Sequence, residues 1–121
     1  MLLKDFYFVS ETKKVEATYI SKLTVNKKHE IYKGHFPGRP VTPGVILMQL
    51  FQEEAERISG KKLQLQRADH VKFMSVFDPN EGEELTLETN LEAHESIIKI
   101  KALAHKDACS ILKINALYKV V

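Results

Sequence analysis

The residues able to do chemistry crowd into one stretch, Gly34-His35-Phe36-Pro37-Gly38-Arg39-Pro40-Val41-Thr42-Pro43-Gly44-Val45, and the apolar run behind it. His35 is its one group that exchanges a proton near neutral pH, since an imidazole has an unperturbed pKa of ~6.5. Three prolines and three glycines within residues 34–44 hold an irregular, folded-back loop, because Pro locks φ and Gly opens positive φ. The loop ends as a helix start. Thr42 reads as the N-cap, and Pro43 suits the first helical position, where its missing N–H has no partner anyway. Gly44 lets a ligand come close to the free N–H groups of that first turn. Donors at the positive end of a helix suit an oxygen that gains negative charge. Gln49 then stands between Met48 and Leu50 in the most apolar turn. A buried amide there must find partners or cost ~1–3 kcal/mol.

Gly-His-Phe-Pro-Gly-Arg-Pro-Val-Thr-Pro-Gly-Val-Ile-Leu, residues 34–47, resembles the signature of the β-hydroxyacyl-acyl carrier protein dehydratases of the hot-dog fold. The resemblance implies that His35 is catalytic and that Gly44 is the oxyanion-binding glycine. The family's second catalytic residue is a Glu or Asp on the central helix, fourteen positions after the His. Here that position holds Gln49. The family often carries Glu at this position and Gln four residues later; here the two are exchanged, Gln49 and Glu53.

Dehydrating a 3-hydroxyacyl thioester needs a base for the C2 proton, a donor for the thioester oxygen, and help for the departing 3-hydroxyl. His35 suits the base and the Gly44 N–H the oxygen. Gln49 cannot act as the acid, because an amide donates a hydrogen bond but not a proton. Three readings stay open. Gln49 positions the hydroxyl while His35 or a water shuttles the proton. Glu53 substitutes as the acid, although it lies ~6 Å along the helix axis and is expected to be an exposed helix residue. Or the activity is altered and the protein binds acyl chains or a partner. Phe36, Pro43, Val45 and Met48 are candidates for lining an acyl site. Thioester hydrolysis on the same fold is a second enzymatic alternative.

These residues need a frame. Residues 43–59 form the only convincing helix. Its first half (Val45 to Phe51) is apolar on nearly every side and its second half is polar, so it is expected to start deep and emerge. Gly60 is a natural residue to end it. Elsewhere the pattern is β. Asp5 to Val9 reads as a strand and Glu11 to Lys14 as a turn. Val15 to Val25 is a strand with a bulge near Ser21. Leu63 to Phe73 alternates in its first part, Asp78 to Gly82 is a turn, and Leu85 to Ala93 alternates cleanly. Ile98, Ile100, Ala102 and Ala104 face one way in the next strand. Leu112, Ile114, Ala116, Tyr118 and Val120 do so in the last. Short turns imply antiparallel neighbours, and one buried helix plus such a sheet gives an α+β fold. That the sheet wraps around the helix is what the resemblance implies.

At 121 residues, 1–121 is expected to be a single domain. A hydrophobic share of 44% with 28% charged residues is that of a globular chain. The single Cys109 excludes an internal disulfide and fits a reducing compartment. No apolar run reaches the ~20 residues of a membrane span, and no signal peptide is read at the N-terminus. A cytoplasmic location is expected. A net charge of +2 is too weak to imply nucleic acid. No metal-ligand set and no phosphate loop are visible, so no cofactor or metal is expected. The remaining histidines, His29, His70, His94 and His105, read as ordinary surface or core residues. The resemblance implies an acyl carrier protein or acyl-CoA substrate. It also implies a homodimer or an assembly of dimers, with each site built across two subunits, in fatty acid or related acyl-chain biosynthesis.

Overall fold

The computed structural model describes residues 3–32 and 42–121 of the chain. Among the described residues, six strands and one long helix follow in the order β1 (Tyr7–Val15), β2 (Thr18–Val25), α1 (Gly44–Ser59), β3 (Leu63–Phe73), β4 (Glu84–Ala93), β5 (Ile97–Lys106) and β6 (Cys109–Val120). Short 3-10 turns lie at Glu30–Tyr32 and Pro79–Glu81. The strands form one sheet in the order β1-β2-β4-β5-β6-β3, and every neighbouring pair is antiparallel. β3 follows the helix and pairs at the far edge against β6, so the helix connection carries the chain across the sheet. The architecture is the α+β hot-dog arrangement.

Period-two alternation sets which strand residues point at the helix. Leu23, Leu85, Leu87, Ile98, Ile100, Ile114 and Tyr118 are each buried on that face. From α1, Leu47, Leu50, Phe51 and Ala55 are buried against them, one stripe at helical spacing. Fully burying side chains of this size stabilises by ~1.5–3 kcal/mol each, so this layer dominates the fold's stability. Gly60 ends α1 in the left-handed region (φ 70°), and its N–H meets the Glu56 carbonyl at 2.9 Å. Helix side chains then pin both polar groups of Leu63. The Leu63 N–H donates to Glu56 Oε2 at 2.9 Å, and Gln52 Nε2 donates to the Leu63 carbonyl at 3.0 Å. These two bonds fix the start of β3 beside the helix.

Several details differ from the expectations. Glu11 to Lys14 is strand, not turn; the reversal falls at Glu16, with φ 57°. That end of β1 is an edge exposed on both faces, so it needs no apolar alternation, and Glu11 pairs there with Lys13 and Lys22. The first strand begins at Tyr7 rather than Asp5. The bulge lies on β1 between Val9 and Glu11, not at Ser21. Thr42 does not cap α1. The cap position is Pro43, and the buried Thr42 hydroxyl pairs with the Tyr32 hydroxyl at 2.8 Å.

The helix's polarity runs opposite to expectation. Val45 in its first turn is 71% exposed, whereas Glu53 and Glu54 are 5% and 1% exposed. The reason is that both carboxylates find partners, some of them far away in sequence. Glu54 is gripped by Arg57 through Nε and Nη2 and accepts from the Tyr7 hydroxyl. Burial, then the charges of Glu54 and Glu53, pushes the Tyr7 phenol upward, so Tyr7 stays a neutral donor.

Candidate active site

α1 places four of the expected residues within two turns. Val45, Met48 and Gln49 line a pocket of about 170 Å³ whose other walls are Gln52, Leu65 from β3, and Ile114 and Tyr118 from β6. The pocket is mostly apolar, and its polar lining is the two glutamine amides and the Tyr118 phenol. Burial raises the Tyr118 pKa, followed by the charge of Glu56, which keeps this phenol protonated. Nearer the start of the helix, Pro43 and Gly44 line a shallower depression of about 440 Å³ with Thr42, Leu47 and residues 73–77. The helical ladder opens with the Ile46 and Leu47 N–H groups on the Pro43 carbonyl, at 3.0 and 3.3 Å. The Gly44 and Val45 N–H groups precede it, as the first donors of any helix must. The Phe73 ring lies against Gly44, and a methyl there would overlap that ring where it now stands. Phe73 is 57% exposed, so its ring has solvent space on its outer side.

Gln49 is half-buried, and its Nε2 donates to Glu53 Oε2 at 3.1 Å. The same oxygen accepts the Leu3 N–H at 3.0 Å, which ties the N-terminal segment to the helix. The expectation that Glu53 is exposed is therefore wrong. It is buried, it lines neither depression, and it meets the pocket only through Gln49. Glu53 Oε1 is buried without a hydrogen-bond partner among the described residues. His35 and Phe36 lie outside the described residues. So the structure brings Val45, Met48 and Gln49 to one pocket and sets Pro43 and Gly44 beside it, with Glu53 behind.

Sequence reasoning missed Gln52, Leu65, Phe73, Ile114 and Tyr118. Gln52 carried a signal, since residues three apart share a helix face with Gln49. The strand residues had none, because their place depends on β3 returning beside β6. Among the described residues, no group of three or more His, Cys, Asp or Glu side chains can hold a metal ion, and no helix is long and apolar enough to cross a membrane.

Comparison with known proteins agrees with this picture. The family model for the ApeI dehydratase, ApeI-like, matches residues 11–112. A 3-hydroxyacyl-acyl-carrier-protein dehydratase, FabZ, from Lactobacillus helveticus is 34% identical over 99 residues. That alignment covers 73% of this chain and 64% of the relative, so the chain spans a little under two thirds of the relative's length. Among solved structures, a chain of the dehydratase heterocomplex ApeI:P from Xenorhabdus doucetiae superposes with a TM-score of 0.73 at 16% identity, covering 93% of this chain and 96% of that one. A thioesterase from Haemophilus influenzae gives 0.68 at 9% identity, covering 99% and 82%. Likeness at such identities concerns the fold alone.

Proposed function

Because the chain belongs to the ApeI-like dehydratase family, we propose that it removes water from a 3-hydroxyacyl thioester on an acyl carrier protein, leaving the trans-2-enoyl thioester. The observation that carries this reading is the pocket in which Gln49 faces an apolar wall of Val45, Met48, Leu65 and Ile114, next to the exposed start of α1. An acyl chain suits the wall, its hydroxyl suits the amide, and its thioester oxygen suits the Gly44 N–H.

In the proposed reaction His35 takes a proton from C2. The electron pair forms the C2–C3 double bond as the C3–O bond breaks. The proton on His35 passes, directly or through a water, to the departing hydroxide, and His35 is regenerated. Gln49 binds the hydroxyl without supplying a proton. Phe36, Pro43, Val45 and Met48 contact the acyl chain. Val45, Leu65 and Phe73 are exposed apolar side chains around β3, an edge strand, which supports pairing of two copies across this edge. On this reading the protein works as a cytoplasmic dimer, or an assembly of dimers, in fatty acid or related chain synthesis.

The test is turnover of 3-hydroxyacyl carrier protein by purified protein and by His35→Ala. Formation of the enoyl product by the first, and its loss in the second, supports the reading. Release of free thiol instead would mark a thioesterase. Acyl binding without any reaction, unchanged in His35→Ala, would mark a binding protein and end the dehydratase reading.

A further inference from the structure

The pocket's two amides are not free to turn. Glu53 Oε2 accepts the backbone N–H of Leu3, and a backbone N–H can only donate. As a carboxylate oxygen it can only accept from its second neighbour as well. The Gln49 atom 3.1 Å from it must then be the NH2 nitrogen. Gln52 is held in the same way, its nitrogen 3.0 Å from the Leu63 carbonyl oxygen, which also can only accept. Amide orientation is decided by such partners. Each amide has one N–H committed to the protein and, among the described residues, its carbonyl oxygen left over, and both residues line the same pocket.

We propose that Glu53 is a positioning residue that fixes Gln49 as a hydrogen-bond acceptor, and that the two carbonyl oxygens make this a pocket selective for acyl groups bearing a donor. The favoured ligand class is the 3-hydroxyacyl chain, whose O–H donates to Gln49. A 3-oxoacyl chain has no proton to offer and brings its own lone pairs against the Gln49 oxygen. This rests on the dehydratase reading for the identity of the substrate; the orientation rule itself does not need turnover. Selectivity of this kind is strong because a mismatched ligand leaves buried polar groups unpaired.

Glu53 matters here through geometry, not through a proton. Glu53→Leu removes the acceptor, so the Gln49 amide gains freedom to flip. Glu53→Gln keeps an acceptor there, because the Leu3 N–H holds the new amide's oxygen in place, and is the conservative control. A residue that merely stabilised the fold would weaken all ligands together and leave their ratio alone.

The experiment is calorimetric binding of two pantetheine thioethers, S-(3-hydroxyhexyl) and S-(3-oxohexyl). The hydroxy ligand lacks the thioester carbonyl that acidifies C2, so it is bound without being dehydrated. Wild type is expected to prefer the hydroxy ligand by about tenfold or more, the worth of one buried hydrogen bond with its unpaired alternative. Glu53→Leu and Gln49→Leu are expected to bring the ratio near one, and Glu53→Gln to keep it. A wild-type ratio near one, or a ratio unchanged in both Glu53→Leu and Gln49→Leu, overturns the proposal. Absence of dehydration with the binding ratio intact would instead overturn the dehydratase reading alone.

Discussion

Gln49→Glu places a second carboxyl against Glu53. In the present structure the two side chains meet at 3.1 Å, and Glu53 is 5% exposed. Two unit charges at that separation repel by about 5 kcal/mol at an effective dielectric of ~20. At ~1.36 kcal/mol per pKa unit, that is a shift of roughly 4 units for the second ionisation of the pair. The variant pair therefore holds one proton between its two carboxyls across the neutral range. In the unfolded chain both ionise near ~4.3. The folded variant thus binds more protons than the unfolded one, so its stability falls as pH rises. Relative to wild type, the loss is up to about 4 kcal/mol between pH 5 and pH 8, since one extra bound proton gives a slope of ~1.4 kcal/mol per pH unit. Urea unfolding of both proteins across that range measures the difference. The same proton sits in the pocket where a departing hydroxyl needs one, so dehydration is expected to be preserved or faster, with a new decline on the alkaline side. A stability difference that stays flat from pH 5 to pH 8 would show that positions 49 and 53 do not touch, and the account of this site would fall with it.

Two further outcomes test the supporting structure. Arg57→Met leaves the Glu54 carboxylate, 1% exposed, with the Tyr7 hydroxyl at 3.4 Å in place of its Arg57 fork; the expected cost is about 3 kcal/mol, read as a lower urea midpoint at unchanged slope. Adding Glu54→Leu removes the stranded charge and is expected to recover most of that loss. Gly44→Ala drives the exposed Phe73 ring outward, so stability should move by less than about 1 kcal/mol, since Ala is the better helix former. The dehydration rate is expected to fall about tenfold or more, because the methyl crowds the first-turn donors; an unchanged rate would remove Gly44 from the oxyanion role.

What was legible in the sequence was local. Ile98, Ile100, Ala102 and Ala104 were assigned to one face by spacing alone, and all four are buried. Gly60 ends the helix as expected, because its requirement for positive φ is set by one backbone turn. Glu11 to Lys14 was misread because an edge strand exposed on both faces has lost the alternation that marks a strand. Thr42 was misread because its hydroxyl is taken by Tyr32, ten residues earlier, before it can reach the helix N–H groups. Phe73 at the helix start left no mark, since it approaches from the end of β3.

The buried carboxylates expose the sharper limit. Glu53 and Glu54 look like solvent residues because charged side chains are rarely buried and the one nearby cation, Arg57, reads as half of an ordinary surface pair. The rest of the compensation comes from Leu3, fifty residues away, and from Tyr7, forty-seven away. The pairing of Gln49 with Glu53 was readable, since residues four apart face each other on a helix. Its direction was not, because it is set by the Leu3 N–H that occupies the same oxygen. With the amide at 49 and the acid at 53, one hydrogen bond joins the two and the carboxyl lies a turn further along, against the N-terminal segment. The position facing the pocket is then left with an amide, and the orientation of that amide is governed by a backbone contact at the start of the chain. A change at Leu3 that breaks this contact should therefore reach the pocket through Glu53 and Gln49, although Leu3 itself lines no part of it.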